Sequence, residues 1–143
     1  MKTIFETVVK VLDSIELKYE VGEEQSTINF GVRYGDTPYR MQIHISEEAE
    51  LLGILAVFPL NIPAHKWQAF YELTNKLNCK YVAKLVVDTD EGELISYMSC
   101  TVDGGAINEK IVQAAMTLCL SILDDNYLAI LQLLVDSDSK LLN

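Results

Sequence analysis

Near its C-terminus this chain carries a helical pattern with too little polar surface for a helix that lies only on a sheet. Across residues 112–123 the only polar side chains are Gln113, Thr117 and Ser121. They stand four apart, so they form one narrow stripe, and Ala, Met, Leu, Ile, Val and Cys fill the rest of the circumference. A helix packed on one sheet face needs an apolar arc of only about 100° or slightly more. Something besides the sheet must cover this one: the first helix, the C-terminal segment or a second subunit. Met116 and Leu120 lie on the surplus surface and are candidates for a partner or dimer contact.

The rest of the pattern supplies the sheet. A first helix is expected over residues 3–17, where Ile4, Phe5, Val8, Val9, Val11, Leu12 and Ile15 share one broad stripe. The period then changes to two. Ile28, Phe30, Val32 and Tyr34 alternate with polar residues, and after a turn at residues 35–38 so do Tyr39, Met41, Ile43 and Ile45. A hairpin with one wet face argues for an antiparallel sheet. Residues 51–58 are apolar on both faces and read as a central or doubly covered strand. Pro63 suits the first turn of a second helix ending near Leu77. Strands follow at 80–87 and 93–102, joined by the turn Asp88-Thr89-Asp90-Glu91-Gly92, and Gly104-Gly105 closes that hairpin. Asn108 is placed to cap the last helix, with Ile107 and Val112 as its hydrophobic staple. Asp124-Asp125-Asn126 interrupts the apolar run, after which residues 127–135 either continue the helix or begin another. The expected class is α+β, an antiparallel sheet with helices in the order α-β-β-β-α-β-β-α, as one domain over 1–143 with residues 136–143 frayed.

Charge narrows the partners. Asp and Glu number 21 against 11 Lys and Arg, a formal net charge of −10. Such a surface repels phosphates, which argues against nucleic acid and anionic membranes as ligands. The longest apolar stretch, residues 114–123, is broken by Thr117 and Ser121 and is half of the ~20 residues a bilayer span requires. Glu6 and Asp13 interrupt the N-terminal apolar run, so no signal peptide is read there. The expected location is cytoplasmic. Cys79, Cys100 and Cys119 form no CxxC pair and are odd in number, so they read as free, mostly buried thiols.

Reactive constellations are hard to find. The turn at residues 88–92 lacks the third ligand and the distal glutamate of a calcium loop, and reads as a solvated hairpin. His44 lies on the polar side of a strand and His65 on the wet side of a helix start, each without a partner at metal-ligand spacing. There is no P-loop, dinucleotide fingerprint or nucleophile elbow. Asp124 and Asp125 point about 100° apart on a helix and cannot act on one atom together. No catalytic residue, metal or cofactor is expected, and the chain is read as a non-enzyme.

Apolar surface is plentiful instead. Leu51, Leu55, Val57, Val82, Val86, Ile95 and Tyr97 are expected on the sheet face that the helices leave open. Monomers rarely expose contiguous apolar patches above a few hundred Å². A protein–protein surface follows, most simply in a two-fold homodimer, with the first hairpin as the open edge and its wet residues Arg40, Gln42 and His44 supplying polar specificity. The alternative is a small-molecule sensor with a pocket between the Trp67 helix and the sheet.

Three stretches resemble a known family. They are Phe70-Tyr71-Glu72-Leu73-Thr74-Asn75-Lys76-Leu77-Asn78, then Val82-Ala83-Lys84-Leu85-Val86-Val87-Asp88 with its acidic glycine turn, and the apolar helix ending in Asp125-Asn126-Tyr127-Leu128-Ala129-Ile130. In these, and in element order, the chain resembles the YbjN family of sensory transduction regulators. Leu128 stands where the family commonly has proline, which implies a helix that continues unkinked. The resemblance implies a fold like that of type III secretion chaperones, which are small, acidic, cytoplasmic, usually dimeric proteins that bind extended segments of other proteins. It brings no catalytic residues.

Overall fold

A computed structural model describes residues 3–102 and 107–136. The expected Gly104-Gly105 turn and the frayed tail from residue 137 onward lie outside the described residues. The elements are α1 (Thr3–Ser14), β1 (Tyr19–Val21), β2 (Thr27–Tyr34), β3 (Thr37–Ser46), β4 (Leu51–Val57), α2 (Trp67–Asn78), β5 (Lys84–Asp88), β6 (Glu93–Thr101), α3 (Glu109–Asp125) and α4 (Tyr127–Val135). One sheet of six strands runs in the order β1-β2-β3-β4-β6-β5, and every neighbouring pair is antiparallel. The fold is α+β, as expected, built on one antiparallel sheet.

The period-two pattern sets which sheet face is buried. Ile28 and Phe30, Tyr39 to Ile45 at alternate positions, and Leu52, Ile54 and Ala56 all turn inward. α3 crosses β4 and β6 on that side, α1 packs beside α3, and α2 lies along β5. α3 keeps Gln113 and Thr117 exposed and buries Val112, Ala115, Met116, Cys119, Leu120, Ile122 and Leu123. The surplus arc is therefore covered within the chain. This corrects the expectation for Met116 and Leu120, which are 5% and 3% exposed and belong to the core. β4 is central as expected, but only one of its faces is covered.

Long-range polar contacts fasten the layers. Both Glu47 carboxylate oxygens accept from the first turn of α1, at the Ile4 and Phe5 amides, each at 3.0 Å. A carboxylate there answers the free N–H groups and positive end of a helix. Asn108 caps α3 by accepting from the Ile111 amide at 3.0 Å. The buried Ser96 hydroxyl donates to the Cys119 carbonyl at 2.6 Å, tying β6 to α3. Lys66, buried just before α2, donates from Nζ to the Asp136 carbonyl at the C-terminal end of α4.

The Asp124-Asp125-Asn126-Tyr127 junction is a packing knot. The buried Tyr39 hydroxyl donates to Asp124 Oδ1 at 2.9 Å, and Tyr81 donates to Asp125 Oδ2 at 3.3 Å. The Asn126 amide bonds the Ile122 carbonyl at 2.7 Å, and the rings of Tyr127 and Phe58 meet at 5.2 Å. Here the helix breaks, and α4 leaves at 45° to α3. Leu128 in place of proline does not keep the helix straight, because the side chains on either side of Asn126 are pulled toward different parts of the sheet. Other boundaries also move. α1 stops at Ser14 and leaves Ile15 43% exposed, β5 begins only at Lys84, and β1 was not expected.

Candidate functional site

The sheet face opposite the helices is open, and register places its side chains in rows. Arg40, Val57, Ile95 and Val86 form one row across β3, β4, β6 and β5. Gln42, Leu55, Tyr97 and Lys84 form the next, and His44, Gly53 and Ser99 a third. Leu51 lies further along β4, opposite Thr101. The residues expected on this face are thus brought together, except Val82. It is 66% exposed and lies in the segment before β5 rather than in the strand.

The belt is unevenly exposed. Tyr97, Leu51 and Val86 are each about 40% open, whereas Leu55 and Ile95 are half-buried. Val57 is only 7% exposed, because Arg40 on β3 and Glu93 on β6 form an ion pair that reaches across β4 beside it. This limits Val57 as a contact residue. Beside the belt runs a polar lane. Gln42 donates to Asn29 Oδ1 at 2.7 Å, and His44 is exposed. A shallow depression of about 380 Å³ between lane and belt is lined by Arg40, Gln42, Leu55, Val57, Glu93 and Ile95.

The sheet has two edges. At β5, Asn78 seals the strand: its side chain accepts from the Leu85 amide at 2.7 Å and donates to the Leu85 carbonyl at 3.0 Å. The amide group stands in for a neighbouring strand. At the other edge β1 pairs with Ile28, Asn29 and Phe30 of β2 and stops there.

The titratable groups serve packing. Burial pushes the Cys119 thiol up to about 12 and also raises Cys100, so neither is poised as a thiolate. Cys79 is exposed, contrary to the expectation that the thiols are mostly covered, and all three are free. Burial, and then the hydrogen bond to Asp124, hold the Tyr39 hydroxyl well above its ordinary range. Among the described residues no group of three or more His, Cys, Asp or Glu could hold a metal. Trp67 is half-buried at the start of α2. Its indole donates to the Ile62 carbonyl at 2.9 Å, and the depression beside α2 faces α4. Among the described residues no single helix is long and apolar enough to cross a membrane.

The family described as "Putative bacterial sensory transduction regulator", YbjN, matches residues 5–132. The chain belongs to the YbjN family. None of the curated proteins matches it in sequence. Among solved structures it is similar to a chain of the HopA1–SchA chaperone–effector complex, with a TM-score of 0.60 and 16% identity over 87% of this chain and 94% of that one. It is also similar to E. coli YbjN, described as a putative transcription regulator, with a TM-score of 0.58 and 12% identity over 86% and 91%. A chain of the ExsC–ExsE complex gives 0.53 and 11% over 82% and 86%. At these identities the likeness is one of fold. Asp125, Asn126 and Tyr127, part of one stretch quoted for the resemblance, hold the junction described above.

Proposed function

We propose that this YbjN-family chain is a non-enzymatic, chaperone-like module, one domain over 1–143, that works in the cytoplasm as a homodimer and binds an extended segment of another protein. The observation that carries this reading is the open sheet face. Leu51, Leu55, Val86, Ile95 and Tyr97 make an apolar belt on a face that no layer covers among the described residues, beside a lane of Arg40, Gln42 and His44. The belt is the surface a second copy covers. The lane, and the β2 edge next to it, are where the partner segment meets the dimer. A fold shared with chains of two complexes, one of them named a chaperone–effector complex, supports a protein ligand.

Leu55→Glu and Tyr97→Glu test the dimer. Each places a carboxylate in the middle of the belt, where pairing would desolvate it. Size-exclusion chromatography with light scattering should give twice the chain mass for the unsubstituted protein and a shift to the single-chain mass for both variants, with unchanged circular dichroism. A single-chain mass for the unsubstituted protein, or variants that pair as well as it does, refutes the assignment.

A further inference from the structure

The unsealed edge of the sheet has a temporary look in its covalent and backbone detail. β1 covers three residues of β2, yet β2 continues to Tyr34. The two-residue turn at Gly35-Asp36 pairs Tyr34 with Thr37, so alternate residues back from it bond β3, and Gly31 and Arg33 direct their backbone groups outward. Among the described residues no strand lies beside those two positions. On the helix side of the same stretch, Val32 and Tyr34 stay half-buried.

β1 is also held in a strained frame. Glu16 (φ 60°) precedes it, and Glu24 (φ 55°) and Gln25 (φ 56°) follow it. All three are in the left-handed region, which disfavours residues with a Cβ, and glycine occupies none of these positions. Displacing the strand frees it from that frame and opens all of β2.

We propose that Tyr19–Val21 is a placeholder strand, displaced when a longer extended segment of a partner protein pairs with the whole of β2. This rests on the reading that the chain binds such segments. β1 itself gives the occupant's pattern: Tyr19 and Val21 lie opposite Phe30 and Ile28 on the helix side, and Glu20 lies opposite Asn29 on the open side. The occupant continues that alternation, with apolar residues opposite Val32 and Tyr34 and an acidic residue opposite Arg33. A second copy's own β1 is not the occupant, since it would again stop at Phe30 and leave the same stretch bare.

A disulfide across the resident pair tests the exchange. Glu20 and Asn29 face each other directly and are exposed, so Glu20→Cys with Asn29→Cys, in a Cys79→Ser background, staples β1 to β2. The probe is a fluorescent peptide, Val-Glu-Val-Thr-Tyr-Glu-Val, which is β1 extended to reach Tyr34. The reduced protein should bind it, and oxidation should weaken binding by at least about tenfold, restored by dithiothreitol. Val21→Gly, which loosens the resident strand without a crosslink, should tighten binding. Equal binding in the oxidised and reduced states overturns the placeholder while leaving segment binding at another surface intact. Binding in neither state overturns it as well, and the belt variants above then decide the broader reading separately. Hydrogen exchange gives a ligand-free check. The Glu20 and Gly22 amides, which face β2, should exchange at least about tenfold faster than those of central β3 and β4, because local opening follows few buried contacts. Equal protection overturns the proposal.

Discussion

Removing the two halves of the Tyr39–Asp124 contact should have unequal effects. Tyr39 is 2% exposed and its hydroxyl donates to Asp124 Oδ1 at 2.9 Å, while Asp124 itself is only half-buried. Tyr39→Phe deletes the donor and leaves a carboxylate that water reaches, so the loss is close to that of one ordinary hydrogen bond, about 0.5–1.5 kcal/mol. Asp124→Ala deletes the acceptor and leaves the proton of a buried hydroxyl without it, with the Thr37 side chain still beside the oxygen. Its cost adds a desolvation penalty to the loss of the same hydrogen bond, about 1–4 kcal/mol in all. The double variant no longer strands the hydroxyl and should be no less stable than Asp124→Ala alone. Urea unfolding followed by circular dichroism, arranged as a double-mutant cycle, reads all three. The reasoning fails if Tyr39→Phe costs as much as Asp124→Ala, or if the two losses simply add.

Asn78→Ala should cost about 1–3 kcal/mol by leaving the Leu85 amide and carbonyl without their partner, and should expose the β5 edge. Light scattering should then show concentration-dependent association beyond twice the chain mass, which the unsubstituted protein does not reach, and a variant with unchanged association refutes the sealing role. Alkaline stability should fall in two stages. A folded-state pKa raised above the unfolded value contributes stability that is complete below the unfolded value and is lost as pH rises. For Cys119 the loss begins near 9.0, and for Tyr39 near 10.0. Thermal melts across this range should therefore show an earlier onset that Cys119→Ala diminishes, with Cys100 supplying the remainder, and a later one that it leaves unchanged. Salt should strengthen self-association of the protein, since the net charge of −10 opposes it and raising salt from 0.1 to 1 M shortens the screening length from about 10 to about 3 Å. Weaker association at high salt in a light-scattering titration would contradict this.

Local regularities in the sequence carry most of the fold. The period-two runs place β2 and β3, the glycine turn joins them, Asn108 caps α3, and Gln113 and Thr117 mark its exposed stripe. What escapes such reading is contact between distant residues. Glu47 capping α1 and Lys66 holding the end of α4 are 43 and 70 residues from the groups they bond, and no spacing announces either. The periodicity of α3 measured how much arc needed cover without naming the cover, which is why Met116 and Leu120 read as surface. β1 is three residues long, too short for alternation to register, and its flanking turns use glutamate and glutamine where left-handed backbone ordinarily signals glycine. For the open face, alternation placed Leu51, Leu55, Val57, Ile95 and Tyr97 on one side, while Val82 falls outside β5. The near-complete burial of Val57 depends on an ion pair between two other strands.

The apolar surplus first evident in α3 is relocated in the folded chain, and where it reappears bears on function. α3 hides its arc against β4, β6 and α1. α4 is apolar at nearly every position, yet Ile130 is its one fully buried residue among those described, and Leu128 and Val135 are 78% and 72% exposed. The second reservoir, the belt of Leu51, Leu55, Ile95, Tyr97 and Val86, lies on the opposite side of the sheet from α3. An ordinary core would draw such residues inward. Here the inward positions are already filled by Ile, Leu, Val and Met, and Ser96 is held there only by its bond to the Cys119 carbonyl. The exposed apolar side chains are therefore additional to the core and are not displaced from it. A chain that keeps such surface in water while carrying a net charge of −10 has opposing terms built in, attraction over a few patches and repulsion over the whole. That balance suits contacts that form and release, as the proposed binding of another protein's segment requires.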